Sequence, residues 1–209
     1  MDNSLLLKKK MIPFVVIIIL FIVLYLRVFN RLYYDWLNNP DYSHGFIIPF
    51  IAFYLIWIRR KELGQAEDSP SYWGLVILLF GLIQFIIGNV GAEHFLQSTS
   101  MIIVILGTIL FLRGWQTMRI VFPPTVYLIF MIPMPAIIWN KFAFILKLYA
   151  TELAVVFTQA MGVIVLREGN VIILPTTTLE VVDACSGLRS LVSLLALSAA
   201  LGFMTSFAV

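Results

Sequence analysis

Residues 11–26 read MIPFVVIIILFIVLYL, an uncharged stretch between a run of three lysines and Arg27. A bilayer core about 30 Å thick takes roughly 20 helical residues, or slightly fewer where flanking cations reach the headgroups. A basic flank followed by an apolar run is also the layout of a signal peptide, but no small-x-small cleavage site follows Leu26. The stretch therefore predicts a transmembrane anchor that is not cleaved.

The composition extends this conclusion to the whole chain. Of its 209 residues 61% are hydrophobic and 12% charged, and the mean hydropathy is +0.99. Soluble domains are roughly half apolar and a quarter charged, so a cytosolic enzyme and a disordered tail are excluded. The single cysteine excludes a disulfide-stapled secreted domain. The net charge of +3 does not indicate nucleic-acid binding, because the 14 lysines and arginines are spread along the chain. The positive charges instead indicate how the chain is oriented in the membrane.

Further apolar stretches predict an all-α polytopic membrane protein with about six transmembrane helices. Gly74, Gly81 and Gly88 recur every seven residues, which gives one helix a bare face for close packing. Residues 120–139 contain four prolines, which break or bend a helix, so two half-segments are an alternative there. The predicted spans are 11–26, 45–58, 73–90, 95–112, 120–139 and 188–209.

Two segments ahead of the last span are less apolar. Residues 141–159 place polar side chains on one helical face, which favours an amphipathic helix that lies at the interface or against other spans. Residues 163–182 contain β-branched runs around a Gly-Asn pair, which predicts a β-hairpin and allows a third strand. Lipid does not tolerate open sheet edges, so the hairpin must stand outside the bilayer or be buried in protein.

The positive charges predict the orientation of the chain. A cytoplasmic amino terminus puts eight of the 14 cations inside, all beside span ends, in agreement with the positive-inside rule. The outer loops then hold both histidines, the cysteine and seven of the eleven acidic residues. Any chemistry is therefore predicted on the outer face of the plasma membrane. The eight inner cations are Lys8 to Lys10, Arg59 to Lys61, Arg113 and Arg119.

Cys185 is the first candidate for chemistry. A lone cysteine is also compatible with a small buried apolar residue. Cys185, however, lies just before the last apolar helix, where free backbone amides and the helix dipole favour the reactive thiolate. Arg189 adds a positive charge one turn on, while Asp183 opposes the thiolate unless it turns toward Arg189 or Arg167.

Nucleophilic catalysis also needs a proton acceptor or donor and a group that holds the oxyanion. His44 is predicted at the outer mouth of the second span, on the same side as Cys185, and His94 in the outer turn between the third and fourth spans. Each histidine alone is more typical of an interfacial hydrogen-bonding residue. The sequence has no paired-cysteine pattern and no phosphate loop, so no metal and no cofactor are predicted.

Three stretches of the sequence resemble the exosortase/archaeosortase family. LREGNVI at 166–172 and LEVVDACSGLRSL at 179–191 are similar to the family's signature region, and DYSHGFIIP at 41–49 is similar to its amino-terminal motif. The resemblance extends roughly from Asp41 to the end of the chain. It implies a polytopic membrane cysteine transpeptidase or protease.

The resemblance also implies a substrate and a nucleophile. The partners would be exported proteins whose carboxy-terminal sorting signal consists of a short motif such as Pro-Glu-Pro, a transmembrane segment and a basic cluster. Cys185 matches the family's nucleophile, which attacks a backbone carbonyl near the motif and passes the resulting thioester to an amine or to water. Arg189 and His44 are further catalytic candidates because both are predicted on the same membrane face as Cys185, although Arg189 is not the family's catalytic arginine by position and His44 belongs to a different motif. The residues expected to shape the site are Asp183, Ser186, Gly187 and Arg167.

The sequence departs from the family's pattern at its carboxy terminus. The family's proposed catalytic arginine and histidine follow the span after Ala-Cys-Ser-Gly, and this chain ends at Val209 within that span. We therefore expect a shortened chain that is weak or inactive alone, because losing members of a cooperating set removes most of the rate. Two other function classes stay open: a small transporter or channel subunit, suggested by the prolines of 120–139 and by Glu152, and a non-enzymatic scaffold of an envelope or exopolysaccharide assembly.

Overall fold

Helices account for most of the chain, and a small sheet follows the seventh helix. The computed structural model describes residues 3–182 and 187–206. The elements are helices α1 (Asn3–Asn38), α2 (Ile48–Ile58), α3 (Arg60–Gln65), α4 (Tyr72–Val90), α5 (His94–Arg113), α6 (Trp115–Tyr127), α7 (Ala136–Ala160) and α8 (Leu188–Ser206), 3-10 helices η1 (Pro40–Phe46) and η2 (Leu128–Met131), and strands β1 (Leu166–Glu168), β2 (Val171–Ile173) and β3 (Thr178–Glu180).

Six segments of the described chain are helical, long and apolar enough to cross a bilayer. Together with the small sheet, they confirm the predicted all-α polytopic membrane fold. The number agrees with the sequence, but α7 is among the six and 120–139 is not, because α6 and η2 are each too short to cross a bilayer alone. The six are Pro13–Asn38, Pro40–Ile58, Tyr72–Val90, His94–Arg113, Ala136–Ala160 and Leu188–Thr205.

Residues 120–139 are divided between two elements. α6 gives way to η2, and an extended stretch that contains Pro133 and Pro135 separates η2 from α7. Proline has no N–H to donate and clashes with the preceding turn, which explains the break. The predicted amphipathic helix 141–159 forms the central and carboxy-terminal part of α7.

α1 continues well beyond the predicted span 11–26. Arg27 and the polar residues that follow it end the apolar run, but they do not end the helix. The next residue that cannot continue a helix is Pro40, and α1 ends two residues before it.

The predicted glycine face of α4 packs against α5. A Cβ at Gly81 would lie 2.8 Å from Cγ2 of Val104, and one at Gly88 would lie 2.9 Å from the backbone nitrogen of Gln97. A Cβ at Gly74 would overlap the backbone of α5. The glycines therefore allow the two antiparallel helices to touch along their length.

The core of the bundle surrounds α5. The hydroxyl of Tyr25 in α1 shares a 3.0 Å hydrogen bond with Ser100 Oγ of α5, and its ring packs edge-on against Phe85 of α4 at 4.9 Å. The two buried hydroxyls satisfy each other, which avoids the cost of burying an unpaired polar group. Buried apolar residues of α2, α6 and α8 complete this core, and the outward side chains are mostly apolar.

A hydrogen bond between helices compensates for a proline in α6. Pro124 has no N–H, so the carbonyl of Ile120, four residues earlier, lacks its helical donor. Arg59, at the end of α2, donates from Nη1 to that oxygen at 3.3 Å. A neighbouring helix thus satisfies the freed carbonyl.

The three strands form one antiparallel sheet in the order β1-β2-β3, as the sequence allowed. Gly169 and Asn170 connect the first two, and Gly169 has a φ of 63°, as the first central residue of a type II′ turn requires. Val165 and Ile172 are buried together with Val155 of α7. This second, smaller core joins the sheet and α7 into one unit.

Candidate active site

η1 carries the Asp-Tyr-Ser-His-Gly motif. Asn39 caps the 3-10 helix, since its Oδ1 accepts a hydrogen bond from the Asp41 N–H at 3.0 Å. Residues three apart share a face in a 3-10 helix. Asp41 and His44 therefore lie on one face, while Tyr42 and Gly45 lie on the buried one.

Aromatic side chains hold the buried face of η1. The Tyr42 ring lies 5.2 Å from the Trp139 ring of α7. Gly45 lies so close to Trp36 that a Cβ would overlap the indole, and the Trp36 Nε1 donates to the Met131 oxygen at 2.9 Å. These contacts fix η1 against the end of α1, the end of η2 and the first turn of α7.

Arg189, in the first turn of α8, reaches η1. Its Nε donates to Asp41 Oδ1 at 2.7 Å, although the two residues are 148 positions apart. The sequence suggested Asp183 as a partner for Arg189 and gave Asp41 no role. The sequence did contain one indication of this contact, because the motif that includes Asp41 was predicted at the same membrane face as Arg189.

His44 faces the backbone of η2. Its Nε2 lies 3.2 Å from the oxygen of Phe130. A backbone oxygen can only accept, so Nε2 carries a proton in this arrangement. His44 therefore acts here as a donor that holds η1 against η2.

Arg167 joins the sheet to α7. Its Nη1 lies 3.2 Å from Glu152 Oε2, its Nη2 donates to the Leu148 oxygen at 3.0 Å, and its Nε donates to the Gly169 oxygen at 3.0 Å. In the described part of the chain, no hydrogen bond or ion pair links Arg167 to η1 or α8. It therefore shapes the strands that lead toward the cysteine segment rather than joining the cluster at η1.

Three predicted site residues, Asp183, Cys185 and Ser186, lie outside the described residues. After them the chain continues at Gly187, whose φ of 67° is a left-handed conformation that favours glycine. Leu188 follows and is buried. α8 therefore begins directly after the cysteine segment.

A cavity of about 680 Å³ opens beside η1. It is bounded by the end of α1, η1, the α4–α5 turn, residues 133–135 and the start of α7. This volume is within the range of ligand pockets, roughly 300–1,000 Å³. Within residues 3–182 and 187–206, no three histidine, cysteine or acidic side chains come together as metal ligands. The lining includes the charged or titratable residues Arg31, Asp35, Asp41, Tyr42, Glu93 and His94.

A family model described as transmembrane exosortase matches residues 36–208 of the chain. No curated protein and no solved structure matches it. The match covers every element that carries a predicted site residue, from η1 to α8.

Proposed function

Because the chain belongs to the transmembrane exosortase family, we propose that it is a membrane cysteine peptidase or transpeptidase whose nucleophile is Cys185. It is a multi-pass membrane protein. The observation that carries the proposal is the family match, which includes the Ala-Cys-Ser-Gly segment and the elements on both sides of it.

The proposed reaction is acyl transfer. The Cys185 thiolate attacks a backbone carbonyl carbon of the substrate, so a C–S bond forms and the carbonyl electrons move to oxygen. Collapse of this intermediate breaks the C–N bond, and the leaving amine takes a proton. An amine or water then attacks the thioester and releases the Cys185 thiol.

The start of α8 supports this role. The first N–H groups of a helix have no helical acceptor, and the helix dipole favours negative charge beside them. Gly187 lets the backbone turn into the helix, and the buried side chain of Leu188 anchors the first turn. We assign to these amides, together with Ser186, the stabilisation of the thiolate and of the oxyanion.

Arg189 is the second catalytic group of the proposal. Its Nε is bound to Asp41, which leaves the two terminal nitrogens to donate to the oxyanion. Arg189 is four positions after Cys185, at most about 14 Å of extended chain. His44 is a weaker candidate, because Nε2 would have to release the Phe130 oxygen before it could accept a proton.

The proposal places Cys185 on the outer face of the plasma membrane and the amino terminus in the cytoplasm. One end of the bundle contains η1, the α4–α5 turn and the first turn of α8. Arg59 and Arg113 end α2 and α5 at the other end, which the positive-inside rule assigns to the cytoplasm. The sheet has an exposed edge strand, β3, so we place it and the adjoining part of α7 outside the hydrocarbon layer.

The proposed substrates are exported proteins with a sorting signal of the Pro-Glu-Pro type. The transmembrane part of that signal would lie against the exposed apolar faces of the bundle, with its basic cluster inside and its motif at the outer surface. The scissile bond would then be at the depth of η1 and the start of α8.

The first test is cleavage of a tagged sorting-signal protein co-expressed with the chain. We expect a shorter product or a hydroxylamine-sensitive thioester adduct, and neither with Cys185→Ser. Ser190→Ala is the matched control, since Ser190 is exposed in the same helix turn as Arg189. Product formation that survives Cys185→Ser overturns the proposal.

The second test addresses the orientation. Cys185 is the only cysteine, so thiol labelling of the native chain reports on that residue alone. A membrane-impermeant maleimide should label it in intact spheroplasts. Labelling that appears only after permeabilisation contradicts the outer location.

A further inference from the structure

One ion pair joins the two motifs that carry the site. Arg189 in α8 donates from Nε to Oδ1 of Asp41 in η1 at 2.7 Å. We propose that Asp41 is a positioning residue, whose carboxylate fixes the guanidinium of Arg189 and the first turn of α8 for the reaction at Cys185. The inference rests on the proposed role of Cys185 as the nucleophile.

Asp41 is well placed to fix another residue because its own backbone is held firmly. Asn39 caps the turn through the Asp41 N–H, Tyr42 packs against an aromatic ring of α7, and His44 bonds the backbone of η2. These contacts come from the cap residue that precedes η1, from α7 and from η2. The Asp41 carboxylate therefore projects from a fixed platform.

The first turn of α8 makes a directional contact with η1 through Arg189. A Cβ at Gly187 would find nothing within 4 Å, so packing does not hold that residue. Leu188 is buried, but Arg189 and Ser190 are exposed. Burial of Leu188 holds this turn against the core, and the N–H···O bond of Arg189 sets both a distance and an angle for its side chain.

The partial exposure of the pair indicates a geometric role. The side chains of Arg189 and Asp41 are 52% and 31% exposed. Exposed ion pairs add little to stability, because water screens the charges and two side chains lose freedom. The expected consequence of losing the pair is therefore a misplaced Arg189 rather than an unfolded protein.

Two roles for Asp41 predict opposite effects on the thiol. If Asp41 acted only as a nearby negative charge, its removal would lower the pKa of the Cys185 thiol and produce more thiolate. If Asp41 positions Arg189, its removal frees a long, flexible cation, and the thiolate loses a fixed positive neighbour. The pKa of the thiol then rises, so the sign of the change separates the two roles.

The experiment measures alkylation of Cys185 against pH, with the full chain in detergent micelles and iodoacetamide as an uncharged probe. We expect Asp41→Asn and Arg189→Gln each to slow labelling near neutral pH by about two- to fivefold, the size expected for a partly exposed ion pair. Both should move the profile to higher pH. The double variant should be no slower than either single one, because the two residues act as a unit. Asp41→Glu, which keeps the carboxylate, should retain most of the native rate.

A second ion pair of the same type provides the control. Arg113 Nε and Asp68 Oδ1 lie 2.6 Å apart, at the carboxy-terminal end of α5. That end is roughly 30 Å along the helix from the cavity beside η1. Asp68→Asn removes the same charge and should leave labelling unchanged. Far-UV circular dichroism and gel filtration would show that each variant keeps its fold.

The outcomes distinguish this inference from the proposed function. Faster or unchanged labelling of Asp41→Asn, or additive effects in the double variant, overturns the positioning role and leaves the nucleophile assignment intact. A sorting signal that is still cleaved by Cys185→Ser overturns the proposed function. The labelling experiment would still report on the ion pair in that case, because alkylation does not require catalysis.

Discussion

Replacing Gly45 with alanine should destabilise η1 through a single contact. The new Cβ would lie 2.7 Å from Cε2 of the Trp36 indole and even closer to its Nε1. Carbon atoms pack at about 3.5–4.0 Å, so the ring must move by roughly 1 Å. That movement would stretch the 2.9 Å bond from Trp36 Nε1 to the Met131 oxygen beyond hydrogen-bonding range.

The size of the effect follows from two terms. Forcing an extra methyl group into a packed site costs about 1–3 kcal/mol. Leaving the partly buried Met131 oxygen without its donor costs about 1 kcal/mol more. We expect Gly45→Ala to lower the free energy of unfolding by about 2–4 kcal/mol. Gly64→Ala, where a Cβ would meet nothing within 4 Å, should be neutral or stabilising by up to about 1 kcal/mol.

Reversible unfolding in mixed micelles, followed by far-UV circular dichroism, measures both variants. A double-mutant cycle with Trp36→Phe tests the cause, because the smaller ring removes both the clash and the hydrogen bond. The double variant should therefore be more stable than the sum of the two single losses predicts, by about 1–3 kcal/mol. Additive losses, or a Gly45→Ala variant as stable as Gly64→Ala, would refute the reasoning.

Three further predictions concern the packing, the sheet and the start of α8. Gly107→Ala puts a Cβ 2.5 Å from the backbone of α4 and should lower the free energy of unfolding by about 1–3 kcal/mol. Gly202→Ala, where a Cβ would meet nothing within 4 Å, should leave it unchanged. Equal losses in the two variants would contradict the close packing of α4 and α5. Arg167→Gln should speed hydrogen exchange in the sheet but not in α4 and α5. Glu152→Gln should have a smaller effect on the sheet, because Arg167 then keeps its two backbone acceptors. Exchange at the native rate in both variants would argue that Arg167 does not anchor the sheet. Gly187→Ala should cost about 1–2 kcal/mol in the same unfolding assay because its φ is positive, and a neutral result would show that the turn relaxes freely.

The fold was largely predictable because its signals are local. Uncharged runs ended by cations predicted the number of apolar helices, and the glycines spaced seven apart predicted a close-packing face on α4, which α5 occupies. The Gly-Asn pair predicted the turn between β1 and β2. The ends of the helices were less predictable, since hydropathy measures the preference for lipid and α1 remains helical past Arg27.

The site was less predictable because its contacts join distant segments. Nothing in the sequence around Asp41 shows that its carboxylate binds a residue 148 positions later. Similarly, His44 was predicted only on the same side as Cys185, and nothing in the sequence around it shows that its Nε2 binds the backbone oxygen of Phe130. Local patterns can identify reactive residue types, but their partners depend on how the helices pack.

The hydrogen bond from Arg59 to Ile120 has a consequence for motion. A helix that lacks one backbone bond bends more easily at that point, and Pro124 creates such a weak point in α6. Since Arg59 bridges the weak point from α2, bending of α6 must pull on the end of α2. The other end of α2 adjoins η1, so bending of α6 at Pro124 is coupled through Arg59 and α2 to the short helix that carries Asp41 and His44.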